Sequence, residues 1–233
     1  MHEPAITSQP TATRVIRVAV VEDESLFRDL LRLSLVQHTS IEVVGTFASP
    51  EQALREVPEL GVDVIVLDID LGASMNGVEL GIRLRRAMPT LGLMLLSNHA
   101  DPQLLSSLPR DVMGGWSYLL KRSVTNVETL SRAIEGAAMG LLLLDPELTR
   151  RTRPRRSGPV SDLSPRQLEV LGLIAEGHSN GAIATRLTLS ERSVENHVSR
   201  IYTILGVDAT DRTNHARVMA VLQYLAGSVT VDG

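Results

Sequence analysis

Five short apolar runs separated by amphipathic stretches restrict the fold of the first 139 residues more than any other feature of the chain. The runs are Val15–Val21, Ile41–Phe47, Val62–Ile69, Leu91–Leu96 and Trp116–Leu120. Several are apolar almost throughout, which is typical of strands that helices cover on both faces. Between the first two runs, Leu26, Leu30 and Leu33 recur at helical spacing. Strands that alternate with helices predict an α/β domain built on a parallel sheet with right-handed crossovers.

Changes in this pattern divide the chain into five predicted segments. The alternation ends near Met139, and the stretch Arg150–Pro159 is rich in arginine and proline. Such a stretch indicates a linker, either a self-repelling spacer or a source of phosphate contacts near DNA. We predict a flexible N-terminal tail over 1–13, the α/β domain over 14–139, a basic interdomain linker over 140–161, an all-α domain over 162–226 and a C-terminal tail over 227–233.

The composition favours a cytoplasmic protein. Apolar residues make up 43% of the chain and charged residues 21%, as in ordinary globular proteins. The N-terminus lacks the pattern of a signal peptide, and no run approaches the roughly 20 apolar residues of a membrane span. The absence of cysteine excludes disulfides and thiolate metal sites. The net charge of −4 does not indicate a nucleic-acid partner, so that inference must come from a motif.

Chemically active side chains follow four of the five predicted strands. They are Glu22 and Asp23 after the first strand, Asp68 at the end of the third, Ser97 after the fourth and Lys121 after the fifth. The second run ends without an ionisable group. In the flavodoxin-like strand order 2-1-3-4-5, that strand lies at the edge and the other four are contiguous. Because ligands bind outside the carboxyl ends of such strands, we predict that these side chains form one site.

The residue types at this predicted site favour a metal and a phosphoryl group. Converging carboxylates repel each other unless a cation lies among them, and oxygen ligands without histidine or cysteine suit Mg²⁺. Lys121 is the only lysine among 23 basic residues, and an ammonium is a compact point charge whereas a guanidinium is a planar fork. With the hydroxyl of Ser97, it suits phosphoryl oxygens. Taken singly, each residue has the alternative of an ordinary solvated side chain.

At these positions the chain resembles the receiver domain of two-component response regulators. The matching segments are Glu22-Asp23, Asp68 in Val-Leu-Asp-Ile-Asp, Ser97 after Leu-Met-Leu-Leu, and Lys121 in Tyr-Leu-Leu-Lys. The resemblance implies a flavodoxin-like (βα)5 fold in which Asp68 accepts phosphate from the phosphohistidine of a sensor histidine kinase.

The same resemblance implies roles for the residues around Asp68. Asp23, Asp68 and the backbone carbonyl of Asp70 would hold Mg²⁺, with Glu22 assisting through water. Lys121 would pair with the acyl phosphate and Ser97 would bond to it. Tyr118 would change rotamer on activation.

The residues after the linker are predicted to form four helices. Ser164 and Gln167 have capping-box spacing at the start of the first helix. A short helix over about 180–187, a three-residue turn and a longer helix over about 191–205 form a helix-turn-helix pattern, and Gly206 stands where a C-terminal cap is expected. A fourth helix is predicted over about 211–225.

This helical region resembles the LuxR-type DNA-binding domain, on the segments Leu163-Ser164-Pro165-Arg166, Ala175-Glu176-Gly177 and Ser193-Val194-Glu195-Asn196-His197-Val198. The second helix of such a motif enters the major groove. Asn196 would bond an adenine edge and Arg200 a guanine or a phosphate. Glu195 stands where relatives often have lysine, and would repel phosphate or accept from cytosine. The other predicted DNA-binding residues are Ser179, Asn180, Arg186, Ser190, Arg192 and Ser199.

Together the two resemblances predict a response regulator of the NarL/FixJ type, a DNA-binding regulator and not an enzyme. Its expected partners are a sensor kinase, double-stranded DNA and a second copy of the chain after phosphorylation, with no membrane. One alternative is a phosphorylation-independent regulator, because the loop after Asp70 lacks the family's Met-Pro-Gly run and Asn98 replaces a small residue. Another is a haloacid-dehalogenase-like phosphatase, although Gly72 stands where those enzymes have Thr or Val.

Overall fold

The computed structural model describes residues 14–72, 75–101, 104, 108–109, 115–150, 152–154, 158–208 and 216–230. The predicted N-terminal tail over 1–13 lies outside these residues, as do parts of the predicted linker and of the C-terminal tail.

A six-stranded parallel sheet forms the centre of the first domain, with the strand order β2-β1-β3-β4-β5-β6. Its strands are β1 (Ile16–Val21), β2 (Ile41–Phe47), β3 (Val64–Asp68), β4 (Gly92–Ser97), β5 (Trp116–Leu120) and β6 (Leu143–Leu144). The five predicted strands and their order are therefore confirmed. Strands β3, β4 and β5 are buried along their whole length, which explains why their sequences are almost continuously apolar.

The register of the sheet places the predicted site residues at neighbouring strand ends. Asp68 pairs with Leu96 across β3 and β4, and Ser97 pairs with Leu120 across β4 and β5. Lys121 follows Leu120 directly. The carboxyl ends of β1, β3, β4 and β5 therefore lie along one edge of the sheet.

Four helices of the described residues pack around this sheet: α1 (Ser25–Val36), α2 (Pro50–Glu56), α3 (Gly77–Ala87) and α4 (Val127–Ala138). Side-chain oxygens cap three of them at the N-terminus, because Ser49, Asn76 and Asn126 accept hydrogen bonds from the backbone N–H groups three residues later. These caps fix the residues at which α2, α3 and α4 begin.

The apolar stripe that predicts α1 does not face the core. Leu26, Leu30 and Leu33 are 76%, 55% and 54% exposed, whereas Leu31 and Leu35 are buried beneath them. Their helical spacing predicted the helix but not its orientation. The outward stripe gives α1 an apolar solvent-facing surface.

The segment predicted as a linker contains ordered elements. Strand β6 extends the sheet beyond β5, and a short helix, α5 (Pro146–Arg150), follows it. Leu144 and Leu148 are buried, so this segment is part of the core. Farther on, β7 (Thr152–Pro154) pairs antiparallel with β8 (Ser228–Thr230) near the end of the chain.

The second domain consists of the helices α6 (Pro165–Ala175), α7 (Asn180–Leu187), α8 (Glu191–Leu205) and α9 (Ala216–Ala226). Ser164 and Gln167 form the predicted capping box at the start of α6. Gly206 ends α8 with a φ of 65°, as a left-handed C-terminal cap requires. Thr188 adopts a φ of 54° in the turn between α7 and α8. The start predicted for the fourth helix, near Asp211, lies outside the described residues.

Among the residues described here, no helix has both the length and the apolar character needed to cross a bilayer.

Candidate functional site

Three carboxylates converge at the carboxyl edge of the sheet. Glu22, Asp23 and Asp68 each offer one oxygen, and these oxygens lie within 4.8 Å of one another. Glu22 and Asp68 are buried, whereas Asp23 is exposed. Two buried carboxylates and a third at the rim form a site that can hold a cation from the solvent side.

Lys121 joins this acidic cluster through its ammonium. Its Nζ atom lies 2.9 Å from Glu22 Oε2 and 3.1 Å from Asp68 Oδ2, and its side chain is 12% exposed. The same Nζ lies 4.7 Å from the centroid of the Phe27 ring, close enough for a cation–π contact. The lysine therefore lies between two carboxylates and an aromatic face.

The electrostatics of the site follow from burial and close charges. Burial raises the pKa of Glu22, the hydrogen bond from Lys121 lowers it, and the charge of Asp68 raises it, so the net pKa is above the ordinary value. Burial lowers the pKa of Lys121, but the hydrogen bonds to Glu22 and Asp68 and the charges of these carboxylates together outweigh burial. The net pKa of Lys121 is therefore above the ordinary value, and the ammonium stays charged. Burial, with the charge of Asp68 added to it, thus keeps the pKa of Glu22 above its ordinary value even with Lys121 present.

Backbone contacts hold the acidic residues in place. Arg28 donates from Nη1 to the carbonyl oxygens of Glu22, at 2.6 Å, and of Asp23, at 3.2 Å. A Cβ atom added at Gly77 would lie 2.0 Å from the Asp68 carbonyl oxygen, so only glycine allows the start of α3 to pass so close to β3. These contacts fix the backbone from which the carboxylates project.

Ser97 and Tyr118 meet at one carbonyl group. Both hydroxyls donate to the His99 carbonyl oxygen, from Ser97 Oγ at 2.9 Å and from the Tyr118 hydroxyl at 2.8 Å. Tyr118 is fully buried, and this burial raises the pKa of its phenol. In this structure the tyrosine therefore points inward, and the serine hydroxyl is held toward the residues directly after β4.

Asp70 lies beside the cluster through its backbone. Its N–H donates to Asp68 Oδ1 at 3.3 Å, while the Asp70 residue itself is exposed. The structure thus brings the backbone of Asp70 next to Asp68, at the entrance to the acidic cluster.

The donor set fits a hard divalent cation. All the candidate ligands are oxygens, as Mg²⁺ prefers. Glu22 Oε2 is fully buried, and its contact with the ammonium of Lys121 at 2.9 Å uses only one of its lone pairs. This oxygen therefore keeps a lone pair for a water or a cation.

Four residues at or near the site were not predicted: Phe27, Arg28, Gly77 and Asp145. Gly77 stands in an Asn-Gly pair, a signal that could have indicated a close backbone approach. Asp145 is buried and accepts hydrogen bonds from the N–H groups of Leu120 and Glu147 at 3.0 and 2.8 Å. No local signal in the sequence marks Phe27, Arg28 or Asp145. Their contact partners lie on other elements or in the loop before α1, so these contacts exist only in the folded chain.

The second candidate site is the outer face of α8. Val194, Val198 and Ile201 are buried against the rest of the helical domain. The predicted DNA-binding residues of this helix occupy the opposite face, and all are exposed: Arg192, Glu195, Asn196, Ser199 and Arg200. Helix α8 thus presents a continuous polar surface, as the predicted recognition helix should.

Ser179, Ser190 and Asn180 lie at helix starts near this face. Ser179 caps α7 by accepting from the N–H of Ala182 at 3.2 Å, and Ser190 caps α8 by accepting from the N–H of Ser193 at 3.1 Å. Asn180 Oδ1 accepts from Arg217 at 3.3 Å. Asn180 also lines a groove of about 420 Å³ together with Glu195 and Ser199. Both helix N-termini therefore flank the exposed surface.

Arg186 has a different location from the other predicted DNA-binding residues. It lines a cavity of about 430 Å³ between the two domains, together with Arg132 and His178. The structure therefore separates Arg186 from the groove formed by Asn180, Glu195 and Ser199.

Comparison with known families identifies both domains. Residues 18–135 match the family described as the response regulator receiver domain. Residues 161–220 match the family described as bacterial regulatory proteins of the luxR family. The first match covers about half of the 233 residues and contains the acidic cluster and Lys121, and the second contains the outer face of α8.

Alignments with known proteins extend over most of this chain and of each relative. The DNA-binding transcriptional activator DevR/DosR of Mycobacterium tuberculosis is 30% identical over 212 residues, which cover 88% of this chain and 94% of that protein. The response regulator protein VraR of Staphylococcus aureus is 31% identical over 202 residues, which cover 85% and 93%.

Solved structures share the fold over nearly the whole length. The Salmonella typhimurium RcsB response regulator aligns with 91% of this chain and 98% of its own, with a TM-score of 0.52 and 24% identity. A structure of two RcsB dimers bound to two parallel DNAs aligns with 92% of this chain and 99% of its own, with a TM-score of 0.51 and 23% identity.

Proposed function

The chain belongs to the response regulators, with a receiver domain joined to a domain of the luxR family, and on this premise we propose that phosphorylation of Asp68 controls its binding to DNA. The observation that carries the proposal is the position of Lys121. Its ammonium contacts Glu22 and Asp68 together at the carboxyl edge of the sheet, in a pocket open on the side of Asp23.

The proposed reaction is phosphoryl transfer from a sensor histidine kinase. An Asp68 carboxylate oxygen attacks the phosphorus of a phosphohistidine, so that an O–P bond forms as the P–N bond breaks. The imidazole nitrogen keeps the electron pair of the broken bond and takes a proton from solvent. Lys121 is already within 3.1 Å of Asp68, so its ammonium can pair with the oxygens of the acyl phosphate with little movement.

Mg²⁺ is the proposed cofactor of this step. Asp23, Asp68 and the backbone carbonyl of Asp70 would hold the ion, with Glu22 assisting through water. When bound, it would neutralise the oxygens of the transferred group. The proximity of the three carboxylates supports this assignment, because a divalent cation would relieve the repulsion among them.

The proposed switch begins at Ser97. Its hydroxyl donates to the His99 carbonyl, which also accepts from Tyr118. A phosphoryl group on Asp68 would offer that hydroxyl a charged acceptor, and bonds to charged groups are roughly twice as strong as neutral ones. Rotation of the serine hydroxyl toward the phosphate would break one of the two hydrogen bonds that the His99 carbonyl accepts, the other being from Tyr118, and would shift the population between two receiver states.

DNA binding is assigned to the outer face of α8 and to the nearby helix starts. Asn196 and Arg200 are the proposed base-reading residues, and Ser179, Asn180, Ser190 and Arg192 the proposed contacts to the backbone. Arg186 is proposed as a more distant phosphate contact. We further propose that the phosphorylated chain acts as a homodimer in the cytoplasm, where its DNA lies.

The decisive experiment compares the wild-type chain with Asp68→Asn. Both proteins are incubated with radiolabelled acetyl phosphate and Mg²⁺, and the labelled protein is quantified. We expect stoichiometric, acid-stable and base-labile label on the wild type and none on the variant. Asp29→Asn is the matched control, because it makes the same change at an exposed carboxylate on α1, outside the acidic cluster.

The other outcomes separate the alternatives. Equal labelling of wild type and Asp68→Asn would refute Asp68 as the acceptor. A wild type that takes no label but binds a selected duplex would indicate a phosphorylation-independent regulator. Repeated turnover of a small phosphate ester would indicate a phosphatase.

A further inference from the structure

We propose that Arg122 and Glu147 transmit the conformation of residues 98–99, directly after β4, to the helical domain through helix α5. The inference rests on the proposed function, since it concerns how phosphorylation of Asp68 would reach the DNA-binding surface. It assigns a positioning role to Arg122, the residue directly after Lys121, and a coupling role to a segment that the sequence indicated was a linker.

The first contact of this route joins the site to Arg122. Arg122 Nη1 donates to the carbonyl oxygen of Asn98 at 3.2 Å. Asn98 lies between Ser97, the proposed phosphate-binding hydroxyl, and His99, whose carbonyl accepts from both Ser97 and Tyr118. The carbonyl that Arg122 holds is therefore part of the same short backbone segment as Ser97 and the His99 carbonyl.

The second contact joins Arg122 to α5. Arg122 Nε donates to Glu147 Oε2 at 3.1 Å, and Nη2 lies 2.7 Å from Glu147 Oε1. This is a bidentate pair, in which the planar guanidinium fixes the direction of the carboxylate as well as its distance. The Arg122 side chain is 50% exposed, so the pair contributes little to stability. Its geometry suits position sensing better than stabilisation.

The same helix is fixed to the sheet by Asp145. Its buried carboxylate accepts from the N–H of Leu120 at 3.0 Å and from the N–H of Glu147 at 2.8 Å. The Asp145 N–H donates to the carbonyl of Tyr118 at 2.7 Å. The end of β5, which carries Tyr118 and leads into Lys121, and the start of α5 are therefore one hydrogen-bonded unit.

The third contact joins α5 to the helical domain. Thr149 Oγ1 shares its one hydrogen between the Pro146 carbonyl oxygen at 2.9 Å and Glu176 Oε1 at 3.1 Å, and Glu176 lies in the turn that connects α6 and α7. The next residue, Gly177, has a φ of 82° and packs against Leu143 of β6 so closely that a Cβ would lie 2.9 Å from its Cδ1. The α6–α7 turn therefore rests on the edge of the receiver sheet.

The turn leads directly to the proposed DNA-binding surface. Arg217 of α9 donates to the carbonyl of His178 and to Asn180 Oδ1. Ser179 and Asn180 begin α7 and are proposed phosphate contacts. A shift of α5 is thus transmitted through Thr149 and Glu176 to the start of α7.

A charge-reversal series tests the route. Arg122→Glu, Glu147→Arg and the double variant are each phosphorylated with acetyl phosphate. Their affinity, with and without phosphorylation, is measured for one duplex that the phosphorylated wild type selected from a random library. We expect each single variant to be labelled at a rate within about twofold of wild type, but to lose about fivefold or more of the phosphorylation-dependent affinity change. The double variant should recover most of that change.

A matched control removes the effect of charge alone. Arg83 and Glu79 form an exposed pair on α3 at 2.6 Å, outside the route, and Arg83→Glu with Glu79→Arg should leave both labelling and switching unchanged. Amide exchange over 146–150 supplies a readout that does not involve DNA. Phosphorylation should increase exchange there in the wild type, whereas the Arg122→Glu variant should exchange fast before phosphorylation.

The outcomes distinguish this inference from the proposed function. Single variants that label and switch like the wild type would overturn the route and leave the proposed function intact. Single variants that lose labelling would place Arg122 in the phosphoacceptor site and would also overturn it. A wild type without labelling would instead remove the proposed function.

Discussion

Lys121 Nζ lies 3.1 Å from Asp68 Oδ2, at the end of the strand that also carries Tyr118. The ammonium that neutralises the unphosphorylated carboxylate is therefore already placed to detect a phosphoryl group on it. This contact links the chemistry of the acidic cluster to the strand whose end is bonded to α5.

Replacement of Lys121 by arginine should preserve the charge and the fold but impair switching. The ammonium fits between Glu22, Asp68 and the ring of Phe27, where a larger planar guanidinium cannot make the same contacts. We expect melting temperature and labelling by acetyl phosphate to change little, and the phosphorylation-dependent gain in DNA affinity to fall by about fivefold or more. Arg55→Lys, at an exposed position of α2, is the control. Normal switching of Lys121→Arg would show that the single lysine is chance.

Glu22→Gln should stabilise the protein at neutral pH in the presence of a chelator. The folded-state pKa of Glu22 is raised by burial and by Asp68, so the folded protein binds this proton more tightly than the unfolded chain. The wild type therefore loses stability as the pH rises from below 4.5 through the raised pKa. We expect the variant to melt higher at pH 7, by roughly 4 °C for each 1 kcal/mol gained, with no difference near pH 4.

The comparison requires thermal melts of both proteins from pH 4 to pH 8. Glu24→Gln is the control, because Glu24 is exposed two residues away. A stability difference between Glu22→Gln and wild type that stays constant with pH would contradict the role of the buried carboxylate.

Mg²⁺ should stabilise the receiver domain through the acidic cluster. An ion that binds only the folded state at 100 times its dissociation constant adds about 2.7 kcal/mol. We expect a magnesium-dependent increase in melting temperature for the wild type and a much smaller one for Asp23→Asn. Asp29→Asn, on the exposed side of α1, should respond like the wild type. Equal responses from wild type and Asp23→Asn would place any bound Mg²⁺ elsewhere.

Glu195→Lys should strengthen DNA binding and its salt dependence. Glu195 lies exposed on the outer face of α8, where a carboxylate repels phosphate. One added phosphate contact should steepen the slope of log affinity against log salt by about 0.9. Titrations between 50 and 300 mM salt measure that slope. Glu59→Lys makes the same charge change on the receiver domain, and an equal effect from it would show that net charge alone is responsible.

Local patterns in the sequence determined the elements and the residues at their ends. The five apolar runs form the strands β1 to β5, as predicted. The carboxylates, the serine and the lysine lie at the strand ends in the order that the parallel fold requires. The capping box at Ser164 and the glycine at Gly206 were equally predictable. Such signals are local because side-chain periodicity and cap geometry involve residues within a few positions of each other.

The tertiary structure alone determined which side of each helix is buried and which distant residues are in contact. The leucines that predicted α1 point to solvent. Their spacing could not predict this orientation, because helical spacing is the same for a stripe on either side of the helix. The segment after Met139 adds β6 to the sheet beside β5, and Asp145, just before α5, bonds to Leu120, 25 positions earlier in the chain. Arg122 likewise reached Glu147 across 25 positions. Contacts at that separation depend on how the packed elements close on each other, which no local pattern specifies.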